Sequence, residues 1–363
     1  MAGEGRALML PRVLARYLTR IFLGRATAVL LGLAALLQLL DLLDKAGDVL
    51  ARGGVWDIGR YALLRLPTTL GQLVPLSVLV GAILTFQRLA GSLEITAMRA
   101  TGLGSWRIMG ALVPACALAA GLQFGLQVGV APYSERALSD WWDHLEARDR
   151  PLALDRRMWL RDGTDILAAD AVSPDGAVLS GVLLVRRDPS GRVTLRIGAE
   201  EARHAAGSWR LTGARVLRPG EERETVVGGY DWPEGPTPRA MRNLARPTDA
   251  LSLPALLRGK AGEGAVSRGA AYFGTRLQAA AAAALVPFLM LLLAMPAAFG
   301  LPRQHGGTRR AAVGLTLGLG YLVAQGLMIA IGEAGGLGPV PAAWSMLPCF
   351  ATAGLLCLWR EEA

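Results

Sequence analysis

Hydrophobic and polar residues separate along this chain on the scale of whole segments. Five stretches contain no Asp, Glu, Lys or Arg: residues 66–87, 108–134, 277–302, 311–332 and 334–359. Each exceeds the roughly 20 residues that carry a helix across a ~30 Å hydrocarbon layer. A sixth run, 26–40, is shorter. Extended to 18–43 it crosses only Arg20, Arg25 and Asp41, near its ends, where long side chains reach back to the interface. The pattern predicts six transmembrane helices, with no charge deep inside them.

Between residues 135 and 276 the period changes. Met158-Trp-Leu-Arg161, Gly181-Val-Leu-Leu-Val-Arg186, Arg192-Val-Thr-Leu-Arg-Ile197, Ser208-Trp-Arg-Leu-Thr212 and Glu224-Thr-Val-Val227 are short and β-prone. Turn signals such as Asp162-Gly163 and Asp188-Pro-Ser-Gly191 separate them. That spacing predicts an antiparallel sandwich or barrel, with Leu183 and Val185 on its inward face. Helical flanks are expected at 253–260 and before Arg276. The predicted organisation is therefore 1–134, three helices with a short connector helix near 90–102; 135–276, the β domain; and 277–363, three more helices.

Composition agrees. Over 363 residues, 52% are hydrophobic and only 18% charged, below the quarter usual for soluble domains. An ordinary cytosolic enzyme and a disordered chain are both excluded. The net charge of +9 is unevenly spread, with 22 basic and 20 acidic residues at 135–276 and 16 basic against 9 acidic elsewhere. The surplus lies between the apolar runs, at Arg6, Arg12, Arg16 and Arg20, at Arg88, Arg99 and Arg107, at Arg303, Arg309 and Arg310, and at Arg360. In a six-span chain these share one side, which the positive-inside rule makes cytoplasmic, with both termini there and the β domain outside. A basic surplus so placed argues against a nucleic-acid partner. The first apolar run leads into Asp41-Leu-Leu-Asp-Lys45, with no small-residue cleavage site, so a cleaved signal is not expected.

Catalytic signatures are missing. There is no Walker loop, GxGxxG, HExxH, CxxC or GxSxG, and His144, His204 and His305 are far apart. No cofactor or metal is expected. Cys116, Cys349 and Cys357 all fall in apolar runs, which leaves the β domain without disulfides.

The connector after the second span carries the most information. Ser92 is a plausible N-cap, Glu94 suits the first turn of a helix, and Gly102 suits its end. Leu93, Ala97 and Ala100 would share a small apolar face. The stretch reads either as a solvated turn-helix or as a docking element that inserts Glu94 or Arg99 into a partner.

Glu94-Ile-Thr-Ala-Met-Arg-Ala-Thr-Gly102 resembles the coupling-helix motif of the LptF/LptG permease family. Further pieces agree in order and spacing: Asp41-Leu-Leu-Asp-Lys-Ala-Gly47, Leu66-Pro67, Leu73-Val-Pro75, Val130-Ala-Pro132, Trp159-Leu-Arg-Asp-Gly163, Asp249-Ala-Leu-Ser252, Phe299-Gly300 and Gly338-Pro-Val-Pro341. The Asp/Lys/Gly pattern after the first span is most like the family's LptG branch. The resemblance implies six transmembrane helices and a periplasmic β-jellyroll-like domain between the third and fourth. It implies a non-catalytic, multi-pass inner-membrane subunit of an ABC-type transporter that exports lipopolysaccharide. Its partners would be an LptF-like sister permease, an LptB-like ATPase dimer and an LptC-like single-span protein. Glu94, with Arg99, would contact the ATPase. Lys45 aligns with a lysine of the family's substrate-contacting region. Arg136 is offset by about one helical turn from the family's basic residue there. The competing readings are another lipid, lipoprotein or efflux ABC permease, and a membrane-bound enzyme whose β domain is catalytic. In the other permeases the large domain typically follows the first span.

Overall fold

The computed structural model describes residues 12–102, 104–146, 152–173, 175–221, 223–233, 235–238, 240–241, 252–261, 268–299 and 306–362. Arg6, Asp249, Gly300 and Arg303, named above, lie outside them. The chain divides into two units, Met1–Glu135 with Thr275–Ala363, and Arg136–Gly274.

The first unit is helical. Helix α1 spans Arg12–Arg52, 41 residues, or about 60 Å, twice the hydrocarbon thickness. Helix α2 spans Val55–Gly91. The expected polar link between the first two spans is thus helical on both sides of one tight turn. Asp44, Lys45 and Asp48 end the apolar window, but charged residues do not end a helix. Helix α1 ends at Arg52, before Gly53, where a Cβ would fall 2.4 Å from Asp57 Oδ2, the atom that accepts the Gly54 N–H at 2.8 Å. Helix α3, Glu94–Ala100, follows, then α4, Ser105–Phe124. One π-helical stretch, Gly125–Val130, joins α4 to α5, Ala131–Glu146.

Past the sheet and α6, Leu253–Ala261, come α7, Ala270–Ala283, and α8, Val286–Ala294. Helix α9 is Gly306–Glu333, α10 is Pro339–Trp344 and α11 is Met346–Glu362. Among the described residues, five segments are long and apolar enough to cross a membrane, and α7 with α8 makes a sixth only if that pair, bent by 50°, crosses as one. Pro287 accounts for the bend, since it has no N–H to return to the Ala283 carbonyl.

Helix α2 is the inner element. In its most apolar window 67% of residues are buried, against 17% in those of α1 and α9, so α1 and α9 leave broad apolar faces uncovered. Gly81 lets α1 and α2 touch, because a Cβ there would lie 2.6 Å from Ala26 Cα.

Among its described residues the second unit holds six strands: β1, Leu152–Asp162; β2, Asp165–Val172; β3, Val178–Arg187; β4, Val193–Ala205; β5, Ser208–Leu217; and β6, Thr225–Trp232. All neighbours are antiparallel and the order is β1-β2-β3-β4-β5-β6. The described strands form one antiparallel meander, in keeping with the antiparallel β domain expected, and of the sandwich or barrel anticipated they follow the single-sheet alternative. The meander is rolled. Trp232 Nε1 donates to Asp165 Oδ2 at 3.1 Å, although β6 and β2 would stand about 19 Å apart in a flat sheet. Its concave face buries Leu167, Leu184, Ile197, Leu211 and Trp209. Trp209 Nε1 donates to the Pro236 carbonyl at 2.7 Å, and Met241 is buried beside the same core. At the β3–β4 turn, Asp188 accepts from the Ser190 hydroxyl at 2.6 Å and the Arg192 N–H at 2.9 Å. The Ser190 bond is the main reason its carboxyl is held below the usual range.

Val182 and Leu184 face inward; Leu183 and Val185 lie half-buried on the opposite face, contrary to expectation. The cause is a crease. In β3 the buried positions are Leu179, then Val182; in β4 they are Ala199, then Ala202; in β5 they are Leu211, then Ala214. Each skips two residues instead of one. Gly181 and Gly213 take positive φ at this row, +63° and +64°, and register sets Asp170 and Glu200 beside them.

Candidate functional site

Helix α3 exists because the chain is broken on both sides of it. Ser92 is not its N-cap, as expected, but closes α2, its N–H bonding to the Arg88 carbonyl at 2.9 Å. Leu93 then takes φ +60° and turns the chain, so that Glu94 is the first residue of α3. Gly102, at φ +82°, ends the helix with its N–H on the Arg99 carbonyl at 2.9 Å, in the role expected of it.

Ile95 and Met98 are buried in the helical core. Leu93, Ala97 and Ala100 do share a stripe, but it is exposed. Glu94, half-buried, stands at the edge of that stripe. Its Oε2 accepts the Tyr17 hydroxyl of α1 at 3.1 Å, and its Oε1 accepts the Ser92 hydroxyl at 2.8 Å. Arg99 is exposed in the last turn of α3. The two are five positions apart, which turns their side chains about 140° apart. They cannot grip one group on a partner.

Lys45, on α1, pairs with Asp44 through Nζ and Oδ2 at 3.3 Å, and 43% of its side chain is exposed. Nearby, α1, α2 and α5 meet in a polar cluster. Arg65 NH1 bonds Glu135 Oε1 at 2.8 Å, while its Nε lies 3.8 Å from Asp41 Oδ2. The Tyr61 hydroxyl donates to Asp41 Oδ2 at 2.8 Å, and the Thr68 hydroxyl to Glu135 Oε1 at 2.6 Å. In the same unit Arg276 Nε stands 2.6 Å from Glu333 Oε1. Arg136 belongs to the sheet unit, where its NH2 donates to the Ser252 hydroxyl at 3.0 Å. Lys45 and Arg136 thus lie in separately organised units.

A model of the lipopolysaccharide export system permeases LptF/LptG matches residues 16–360. The chain belongs to this family. The LptG lipopolysaccharide export system permease proteins of Escherichia coli K12 and Escherichia coli O6:H1 are each 23% identical to it over 242 residues, covering 63% of this chain. The matched region spans 64% of the length of those relatives.

Within this family fold, the Arg65 cluster and Tyr17 escaped the residue-by-residue reading. A signal for the cluster was present. Arg65 immediately precedes one charge-free run and Glu135 immediately follows the next; Arg276 and Glu333 bracket a later pair of runs in the same way. Oppositely charged residues at span ends that share a side are candidates to pair. Tyr17 left no such mark, since a tyrosine near a helix end ordinarily anchors at the interface.

Proposed function

We propose that this chain is the permease subunit of an ABC-type exporter that extracts lipopolysaccharide from the inner membrane. It delivers the lipid to a periplasmic β bridge that leads toward the outer membrane. It is a multi-pass inner-membrane protein with cytoplasmic termini and a periplasmic sheet unit. Its partners are an LptF-like sister permease, an LptB-like ATPase dimer and an LptC-like single-span protein.

The observation that carries this reading is α3. An exposed Leu93-Ala97-Ala100 stripe with a fixed carboxylate at its edge is a surface ready for a partner that supplies an apolar groove and an arginine. The basic links favour the side where ATP is found for that surface. ATP hydrolysis belongs to the partner. Glu94 is the coupling acid, because a carboxylate paired with arginine resists rotation in its socket and transmits closure of the ATPase to α2 and α4. Arg99, turned away, contacts the ATPase outside that socket. Lys45 and Arg136 meet the anionic phosphorylated head of the lipid, which needs cations as it leaves water. Asp44 moderates Lys45, so Lys45 serves as an entry contact rather than a tight site.

The order of elements, with the sheet after three long helical segments, favours this reading over a permease whose large domain follows its first span. Purification of the full assembly from detergent-solubilised membranes tests it. The chain is expected to bring down the ATPase, the sister permease and lipopolysaccharide, and Lys45→Asp or Arg136→Asp to lower the lipid several-fold without loss of protein partners. Preparations that hold neither ATPase nor lipopolysaccharide would overturn the assignment. Normal lipid in both variants would remove those residues from the pathway.

A further inference from the structure

Glu94 is held by a residue far from it in the chain. We infer, resting on the reading of α3 above, that Tyr17 is a positioning residue. Its hydroxyl orients the Glu94 carboxylate for a guanidinium of the ATPase, and it fastens α1 to α3.

Tyr17 and Glu94 lie 77 positions apart, yet their bond is 3.1 Å long. The geometry suits a prepared acceptor. An ionised carboxylate offers about four acceptor sites, two on each oxygen. Tyr17 occupies one on Oε2 and Ser92 one on Oε1. One site on each oxygen is left, which is what a forked guanidinium takes. Free glutamate side chains lose rotamer entropy when they dock, and one already fixed from both oxygens loses less. Nearby, Arg25 of α1 is committed to the Leu84 carbonyl of α2.

The bond is also a mechanical link. Ile95 and Met98 seat α3 on the core that includes α2 and α4. Tyr17 adds a directional connection to α1, beside Leu18, which is fully buried. A displacement of Glu94 by the ATPase therefore reaches α1 directly as well as through α2.

The test uses the complete assembly in proteoliposomes, with lipopolysaccharide as cargo. Lipid released per ATP hydrolysed, and the ATPase concentration giving half-maximal release, are compared for wild type, Tyr17→Phe, Glu94→Gln and the double variant. Tyr17→Phe keeps the ring and removes only the hydroxyl. It is expected to lower release per ATP about five- to tenfold and to raise the half-maximal ATPase concentration, at unchanged permease level. The double variant should match Glu94→Gln alone, because the hydroxyl acts through that carboxylate. Wild-type release by Tyr17→Phe, or losses that multiply in the double variant, would overturn the role of Tyr17. Normal release by Glu94→Gln would instead remove the coupling reading of α3 itself, so the two failures are distinguishable.

Discussion

Pro75 has no N–H to return to the Gly71 carbonyl, and inside hydrocarbon that oxygen has no water to turn to. Gln127, in the π-helical stretch beside it, donates its Nε2 to Gly71 O at 3.0 Å. The proline in one span thus explains the glutamine in another. Gln127→Leu should destabilise the helical unit by about 1 kcal/mol, the size of an interhelical hydrogen bond in a membrane. With Pro75→Ala, which restores an N–H for Gly71, the same change should cost much less. Equilibrium unfolding of the four variants in mixed micelles reads both costs, and equal costs in both backgrounds would refute the pairing. The Arg65–Glu135 pair follows a related rule, since each residue closes the polar edge of a span and their charges oppose. Such partners are only half legible in sequence. The chain shows which groups need company, while the packing of helices decides which group arrives.

At the scale of elements, the apolar windows marked the long helices well and their ends badly. Hydropathy marks the apolar stretch, whereas α1 runs on through Asp44, Lys45 and Asp48 and ends only at Arg52. The sheet shows the same division. Alternation identified β3, but a one-residue error of phase reversed Leu183 and Val185 against Val182 and Leu184. Simple alternation assumes an unbroken pleat, and Gly181 breaks it. A Cβ at Gly181 would lie 2.1 Å from Asp170 Oδ2, on a backbone at φ +63°. Asp170 in turn pairs with Arg157 at 3.1 Å. Gly181→Ala should therefore destabilise the sheet unit by about 2 kcal/mol or more, the left-handed backbone alone costing 1–2 kcal/mol. Faster tryptic cleavage within 152–232 in the full chain would report it, and wild-type protease resistance would count against the crease. The stretch 94–100 was legible as a helix and as a candidate contact. Its buried and exposed sides were not, because in seven residues with Leu93 turning the chain, spacing alone does not say which side meets the core.

For the whole molecule, the division of charge first read from the sequence has a structural counterpart. The near-neutral 135–276 region contains the rolled sheet, and the basic residues of the links flank the long apolar helices. Long apolar helices with broad uncovered faces, an inner helix that packs them together, and one short helix with a fixed acid make up the helical unit. On the reading proposed above, a partner hydrolyses ATP and its work reaches this chain through α3. That is the central claim, and ATP-dependent release of lipopolysaccharide from proteoliposomes measures it most directly. With the sister permease and ATPase present, the wild-type chain is expected to release lipid only when ATP is supplied. Glu94→Ala should assemble normally yet lose at least about tenfold of that release, the scale of a charge-assisted hydrogen-bonded pair. Release by Glu94→Ala at the wild-type rate, or no ATP-dependent release by the wild type, would contradict the account.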